Sequence, residues 1–518
     1  MTEHDLEQAI LEFVSRPGYR PMKPRMIAAR LGVPKDRAAE LKQVIKRLVR
    51  RRQLTYGSNH LIQPPSAGQA AEKLVVGAFH RTQKGFGFVR PLEAAAAGVK
   101  DKDIFVPAKW SVDAADGDVV SVRLHKRRPE DPGPRGEIVE VIERETHQFV
   151  GTYSESHGGA YVQIDGTVFA QPIYVGDPGA KTARPGDKVV VEMIRFPSAV
   201  HDGEGVITEV LGASGQPGVD TLSIIREFNL PEPFAADALE EARREAEKFD
   251  EAALEGRKDL TGETILTIDP VDARDFDDAI SLERLDNGNW WLGVHIADVS
   301  HFVRPATALD REAHNRGTSV YLPDRVLPML PEIISNALAS LQPGKTRYTK
   351  SVFMEFTPEG LRTHAEYHTA AIRSSKRLTY EQVDAFLADR PAWRRKLGAK
   401  VHALLERMHE LAMVLRGRRL KHGALELNMP ELKVELDSSG RVLGAHVVEN
   451  TESHQIIEEF MLAANESVAE MLRDRGVAFL RRVHGAPSPL KIKALAEFIR
   501  ELGFPVSGLE SRFELQKL

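Results

Sequence analysis

Apolar positions recur every three or four residues at the start of the chain and every second residue further on, a change of period that separates predicted helix from predicted sheet. Leu6 to Phe13, Arg25 to Leu31 and Lys35 to Arg52 read as three short helices, with Gly32-Val33-Pro34 as the break between the last two. In the third, Leu41, Val44, Ile45, Leu48 and Val49 would bury one face and leave bases on the other, at helix-turn-helix spacing. Residues 74–128 alternate short β-runs with glycine turns. Residues 147–212 repeat the pattern, with Val150–Tyr153, Ala160–Ile164 and Lys188–Glu192 as strand candidates, so two small barrels are expected. Ala235 to Gly256 reads as a charged helix acting as a solvated connector. Two apolar runs, Thr264–Ile268 and Ala279–Leu282, then flank a polar turn. Near the end, Ile457, Phe460, Met461, Ala464 and Val468 mark the buried face of a core helix.

Composition narrows the picture. At 518 residues the chain has room for roughly three or four domains, each with its own core. It contains no cysteine, which excludes disulfides, zinc-thiolate sites and thiol nucleophiles and suits a reducing cytoplasm. The first residues carry acids where a secretory signal would carry bases, and no apolar run is long enough to cross a bilayer, so a cytoplasmic location is expected. A net charge of -5 argues against a uniform coat of nucleic acid. Locally the balance inverts: Lys35, Arg37, Lys42, Lys46, Arg47, Arg50, Arg51 and Arg52 face only Asp36 and Glu40. Such a helix after such a turn favours nucleic-acid contact.

The candidate chemistry lies in the polar turn between the two apolar runs. From Asp269 to Asp278 it holds five aspartates, Asp269, Asp272, Asp275, Asp277 and Asp278, and one cation, Arg274. Carboxylates crowded into one loop repel one another, and a divalent cation relieves that repulsion most readily. Oxygen-only ligands select a hard ion, Mg²⁺ or Mn²⁺, over zinc. A calcium loop wants Gly at its sixth position and Glu at its twelfth. Counting from Asp269, Arg274 and Ile280 stand there. The alternative is a solvated acidic turn.

The run Thr267-Ile268-Asp269 with Ala273-Arg274-Asp275-Phe276-Asp277-Asp278-Ala279 resembles the signature of the ribonuclease II/ribonuclease R (RNB) family of processive exoribonucleases. Val294–His301, Arg316–Pro331, Ile456–Asn465 and Phe479–His484 resemble further motifs of that family in the expected order. The resemblance implies that Asp269, Asp275, Asp277 and Asp278 form the acidic metal set, that Asp277 is the member most critical for the chemical step, and that Asp272 is peripheral. It also implies that Tyr321 stacks near the terminal nucleotide and sets the length of the end product. A winged helix-turn-helix at the N-terminus is more typical of ribonuclease R than of ribonuclease II.

Lys84-Gly85-Phe86-Gly87-Phe88-Val89 and Asp103–Pro107 resemble the two RNA-binding strands of a cold-shock domain. Period-two alternation would project Phe86 and Phe88 from one face, with Phe105 and Lys84 nearby and Gly87 leaving room for bases. The expected fold is thus multidomain α+β. A winged helix-turn-helix occupies 1–62, two OB-fold/cold-shock β-barrels 73–130 and 146–213, a linker with the charged helix 214–258, and a mixed α/β RNB catalytic domain 259–518.

Two departures from the family pattern stand out. Leu427 takes the place of a clamping phenylalanine, and the family's C-terminal arginine motif and S1 barrel do not occur, so the catalytic domain is expected to be incomplete. The expected function is Mg²⁺-dependent, processive 3′-to-5′ hydrolysis of single-stranded and structured RNA to 5′-nucleoside monophosphates. The rivals are an RNA-binding, chaperone-like protein with an inert catalytic region and a DNA-binding regulator using the first fifty residues.

Overall fold

The computed structural model describes all residues except 1–2, 17, 34–37, 51–53, 58–60, 65–73, 83–85, 93–102, 126–132, 157, 167, 170, 199–200, 255, 428, 484, 507, 510 and 518. Lys35, Arg37, Arg51, Arg52, Lys84, Gly85 and His484 therefore lie outside the described residues, as do the side chains of Arg47 and Arg50. The chain divides into two compact units, Met1–Asn229 and Leu230–Leu518.

The first unit opens with helices Glu3–Val14, Pro24–Arg30 and Ala38–Arg50, followed by strands Thr55–Gly57 and Leu61–Gln63 paired antiparallel. Pro24 supplies a preset φ at the helix start, and Gly32, at φ +68°, closes the second helix where a side chain would be strained. Leu41, Val44, Ile45 and Leu48 are fully buried, packed with Leu6, Ile10 and Ile27, as their spacing requires. Residues 3–63 thus hold three helices followed by an antiparallel hairpin among the described residues.

The next module is a five-stranded antiparallel sheet built from Leu74–Arg81, Gly87–Pro91, Ile104–Val106, Val119–Leu124 and Gly136–Glu143. Its last strand extends past residue 130, because the pairing of Val122 with Ile138 completes the apolar face. Alternation sends Val89, Ile104 and Val106 inward and Phe88 and Phe105 outward. Gly87 points inward with Val89. A Cβ there would lie 2.4 Å from the buried Phe79 ring, so this glycine makes room for the core and not for bases.

The following strands, Gln148–Ser156, Gly159–Ile164, Ile173–Gly176, Asp187–Arg195 and Glu204–Ala213, close into a barrel around Tyr153, Val162, Ile173, Val189 and Val191. The expected linker does not exist as one piece. Helix Val219–Glu227 packs its Val219 on Val150, Val190 and Leu211 of the barrel, and Arg226 pairs with Glu209 at 2.7 Å.

The second unit is a seven-stranded mixed sheet with helices on both faces. Its lateral order is Lys258–Leu260, Arg362–Arg373, Thr346–Phe356, Trp290–Ala297, Asp278–Arg284, Leu266–Asp269 and Lys376–Thr379. On one face Ile268, Ile280, Leu292, Val294 and Met354 meet Leu404, Met408 and Leu411 of helix Ala399–Lys421 and Ile456 and Phe460 of helix Glu452–Asp474. Ile457 and Ala464 are buried there too, with Met461 and Val468 packed against the cluster. The other face sets Ala279, Ala297, Phe353 and Ile372 against Phe302, Leu309, Ile334 and Leu338.

Helix Ala236–Lys248 belongs to that second core and is not a solvated connector. Its charges occupy the outer face, but Ala238 and Ala242 are fully buried, and Glu241 accepts the Leu309 amide at 3.0 Å. Small residues replace the usual large apolar stripe, which hid the buried face from a reading of periodicity. Ala242→Leu should therefore cost about 1–3 kcal/mol by overpacking, while the exposed Arg244→Ala should stay within about 0.5 kcal/mol, both measured by urea unfolding. Equal, small effects would contradict this placement.

Candidate active site

The acidic turn joins two antiparallel strands, with Leu266 opposite Ile280, so Asp269 ends one strand and Asp278 begins the next. The loop between them is held from several sides. The Ser340 hydroxyl accepts from the Phe276 amide at 3.1 Å and donates to the Arg274 carbonyl at 2.9 Å, and the Leu341 amide donates to the Phe276 carbonyl at 2.9 Å. The Ala297 amide donates to the Asp277 carbonyl at 2.9 Å. Nearer the start of the loop, the Arg377 guanidinium donates to the carbonyls of Pro270 and Val271 and stands 5.3 Å over the Phe276 ring. Asp272 turns outward to Lys433 at 2.9 Å, consistent with a peripheral residue.

Within this frame the acids act on one another. Asp269 is buried, and desolvation, reinforced by Asp278 and Asp277 and opposed by Arg377, pushes its carboxyl up to about 7. The Thr267 hydroxyl beside it eases the charge without making a hydrogen bond of normal geometry. Burial and then Asp277 push Asp278 up to about 6. Asp277 is open to solvent at its rim, yet the surrounding protein and Asp275 raise it as well.

One oxygen of Asp269 and one of Asp278 are buried without any hydrogen-bond partner. Buried carboxylate oxygens left unpaired are costly, so this is the place in the fold where a cation would be most favourable. Among the described residues, however, no three His, Asp or Glu side chains converge in metal-holding geometry. The four-carboxylate cage expected from the sequence is therefore not assembled. Asp277, just before the strand, is exposed, whereas Asp278, its first residue, is half-buried. The donor set still fits Mg²⁺, which is commonly bound through one or two carboxylates with water and substrate phosphate supplying the rest.

Two aromatic groups border the acids. Tyr321 sits on a two-stranded hairpin where it pairs with Val326, is 69% exposed, and places its hydroxyl 3.5 Å from Asp275. Burial and the acids, Asp278 first, push the Tyr380 hydroxyl up to about 12. Its ring stacks on His454 at 3.9 Å. Tyr380 follows the Thr379 capping box, whose Thr379-x-x-Gln382 spacing is visible in sequence, although its place beside the acids is not. Ser340 and Arg377 carry no local signal. Leu427 is 73% exposed and touches none of these groups in any described contact.

In the other unit Phe86, Phe88 and Phe105 form a ring trio with centroids 5.6 to 6.1 Å apart, Phe88 being 39% exposed. Arg135 lies 5.6 Å over Phe105. The second barrel carries an outward pair of its own, Tyr161 against Tyr174 at 5.6 Å. On the basic helix, Lys46 is engaged by Glu143 at 2.5 Å, while Lys42 is exposed. No described helix is long and apolar enough to cross a membrane.

Comparison with known proteins agrees with this layout. The sequence matches the RNB domain over residues 257–517, the ribonuclease B OB domain over 77–141 and a cold shock domain over 161–235. Ribonuclease R of Thermotoga maritima is 41% identical over 373 residues, covering 71% of this chain and 52% of that protein. Ribonuclease R of Aquifex aeolicus is 31% identical over 506 residues, covering 98% and 69%. The chain spans roughly half to two-thirds of the length of the curated relatives it matches. Among solved structures, Mycoplasma genitalium RNase R in complex with ribose methylated single-stranded RNA shares the fold, with a TM-score of 0.75 and 24% identity over 86% of this chain and 69% of that one.

A carboxyl whose pKa is higher in the folded state than the ordinary 3.8 favours folding at low pH and loses that contribution as pH rises through its folded value. For the Asp269 and Asp278 pair that window closes between about 6 and about 7. Without divalent cations the pair should therefore destabilise the chain at pH 8 relative to pH 5, and Mg²⁺ should raise the thermal midpoint more at pH 8. A Mg²⁺ increment that is absent, or the same at both pH values, would contradict the assignment.

Proposed function

Because this chain belongs to the ribonuclease R family, by its RNB domain and by relatives such as that of Aquifex aeolicus, we propose that it hydrolyses RNA processively from the 3′ end and releases 5′-nucleoside monophosphates. The observation that carries this reading is the pair of unpartnered, buried carboxylate oxygens of Asp269 and Asp278 beside the solvent-open Asp277. Asp269 and Asp278 would hold Mg²⁺ or Mn²⁺, which when bound makes water a better nucleophile and offsets charge on the phosphate. Asp277, raised in pKa and reachable from solvent, orients the attacking water and takes its proton. Tyr321 presents an exposed ring to the terminal base, its hydroxyl steadied by Asp275. Tyr380 and His454 form a stacked wall beside Asp269 and Asp278.

Single-stranded RNA is the partner this surface suits. The Phe86, Phe88 and Phe105 trio offers faces on which bases stack, each worth roughly 1–3 kcal/mol. Lys84 extends that platform in sequence, and the N-terminal helix-turn-helix adds a nucleic-acid contact through bases such as Lys42. Single-stranded and structured RNA are both proposed substrates, and the cytoplasm is the proposed location.

End-labelled RNA with Mg²⁺ tests the reading. Mononucleotide release from the 3′ end is expected; undiminished RNA binding without any release would leave the chain an RNA-binding protein with a silent catalytic domain. Asp277→Asn should lower hydrolysis by about a hundredfold or more and keep RNA affinity. Parallel loss of both would make Asp277 a structural carboxylate. For Tyr321→Ala we expect turnover to persist and the limit product to lengthen, read on a sequencing gel; an unchanged product would remove Tyr321 from the terminal-base subsite.

A further inference from the structure

We infer that Ser340 is a positioning residue for the acidic loop: its hydroxyl, bonded at once to the Phe276 amide and the Arg274 carbonyl, sets the direction in which Asp275 and Asp277 project. This rests on the nuclease reading above and deepens it.

Ser340 is fully buried at the end of the segment that follows the wide helical turn Ile333–Leu338. A hydroxyl is the smallest side chain that can donate to a carbonyl and accept from an amide at the same time, and both bonds are present, at 2.9 and 3.1 Å. The two bonded groups bracket Asp275. The next backbone groups are also tied down, the Phe276 carbonyl by the Leu341 amide and the Asp277 carbonyl by the Ala297 amide, each at 2.9 Å.

The Phe276 ring packs against the core that contains Phe302 and Ile334, while Asp277, one residue on, is open to solvent. Ser340 is itself anchored: its carbonyl accepts from Arg347 Nε at 3.1 Å, and Arg347 is buried and paired with Glu251 at 2.9 Å. The chain of contacts therefore runs from the Arg347 pair through Ser340 to the peptide that carries Asp275 and Asp277. In its described bonds the Ser340 hydroxyl engages backbone groups, the Phe276 amide and the Arg274 carbonyl. Its effect on chemistry passes through the backbone that carries Asp275 and Asp277.

The test compares Ser340→Ala and Ser340→Thr with the parent chain by two readouts. Hydrogen exchange of residues 273–279 should accelerate about tenfold or more in Ser340→Ala with protection elsewhere unchanged, and Ser340→Thr, which keeps the hydroxyl, should restore it. In RNA hydrolysis, Ser340→Ala should lose about tenfold to a hundredfold in kcat at nearly constant KM, again with recovery in Ser340→Thr. Parental kcat in Ser340→Ala would overturn the inference, as would exchange that rises throughout the second unit, which marks a merely structural serine. If the parent itself hydrolyses nothing, the nuclease reading fails, and local exchange in the 273–279 segment still decides whether the clip exists.

Discussion

Like charges stay side by side inside a protein only where the surrounding backbone leaves them nowhere else to go. Asp269 and Asp278 are held in that condition because they terminate adjacent antiparallel strands of a sheet covered on both faces. The strands cannot separate without opening the cores built on Ile268 and Ile280 on one side and Ala279 on the other. Packing free energy spread over two apolar clusters thus maintains an unfavourable electrostatic arrangement a few residues long, which is how strained sites persist in folded proteins.

The same sheet supplies the rest of the site. The edge strand Lys376–Thr379 runs parallel to Leu266–Asp269, bringing Arg377 to the loop carbonyls and starting the helix that carries Tyr380. Helix Glu452–Asp474, seated on the sheet by Ile456 and Phe460, delivers His454 to the Tyr380 ring. Each of these groups comes from a different element, and their convergence depends on strand order and not on sequence proximity. Among the described residues, Asp269 and Asp278 are the carboxylates that keep a buried oxygen without a partner, a polar demand that a cation could meet.

Much of this was legible in the residues. The helix faces around Leu41 and Phe460 follow from spacing alone, because each places apolar side chains on one stripe of a helix. The acidic turn was visible as a violation of charge balance, with five aspartates beside one arginine. What sequence could not show was how the aspartates divide: Asp272 goes outward to Lys433, Asp269 and Asp278 go inward, and no three converge among the described residues. Gly87 shares the inward face with Val89, so the same alternation that projects Phe86 and Phe88 outward places it against the Phe79 ring. The Ala238 and Ala242 face escaped notice because alanine gives a weak apolar signal, and Ser340 because a long-range hydrogen bond leaves no local pattern.

Anomalous diffraction from crystals grown with Mn²⁺ at pH 8 tests the central claim most directly. The acid pair predicts a single strong peak on the order of 2 Å from the unpartnered oxygens of both Asp269 and Asp278. A peak on Asp275 or Asp272 alone, or no peak in the acidic loop, would show that these buried carboxylates are not a cation site and that their burial has some other cause.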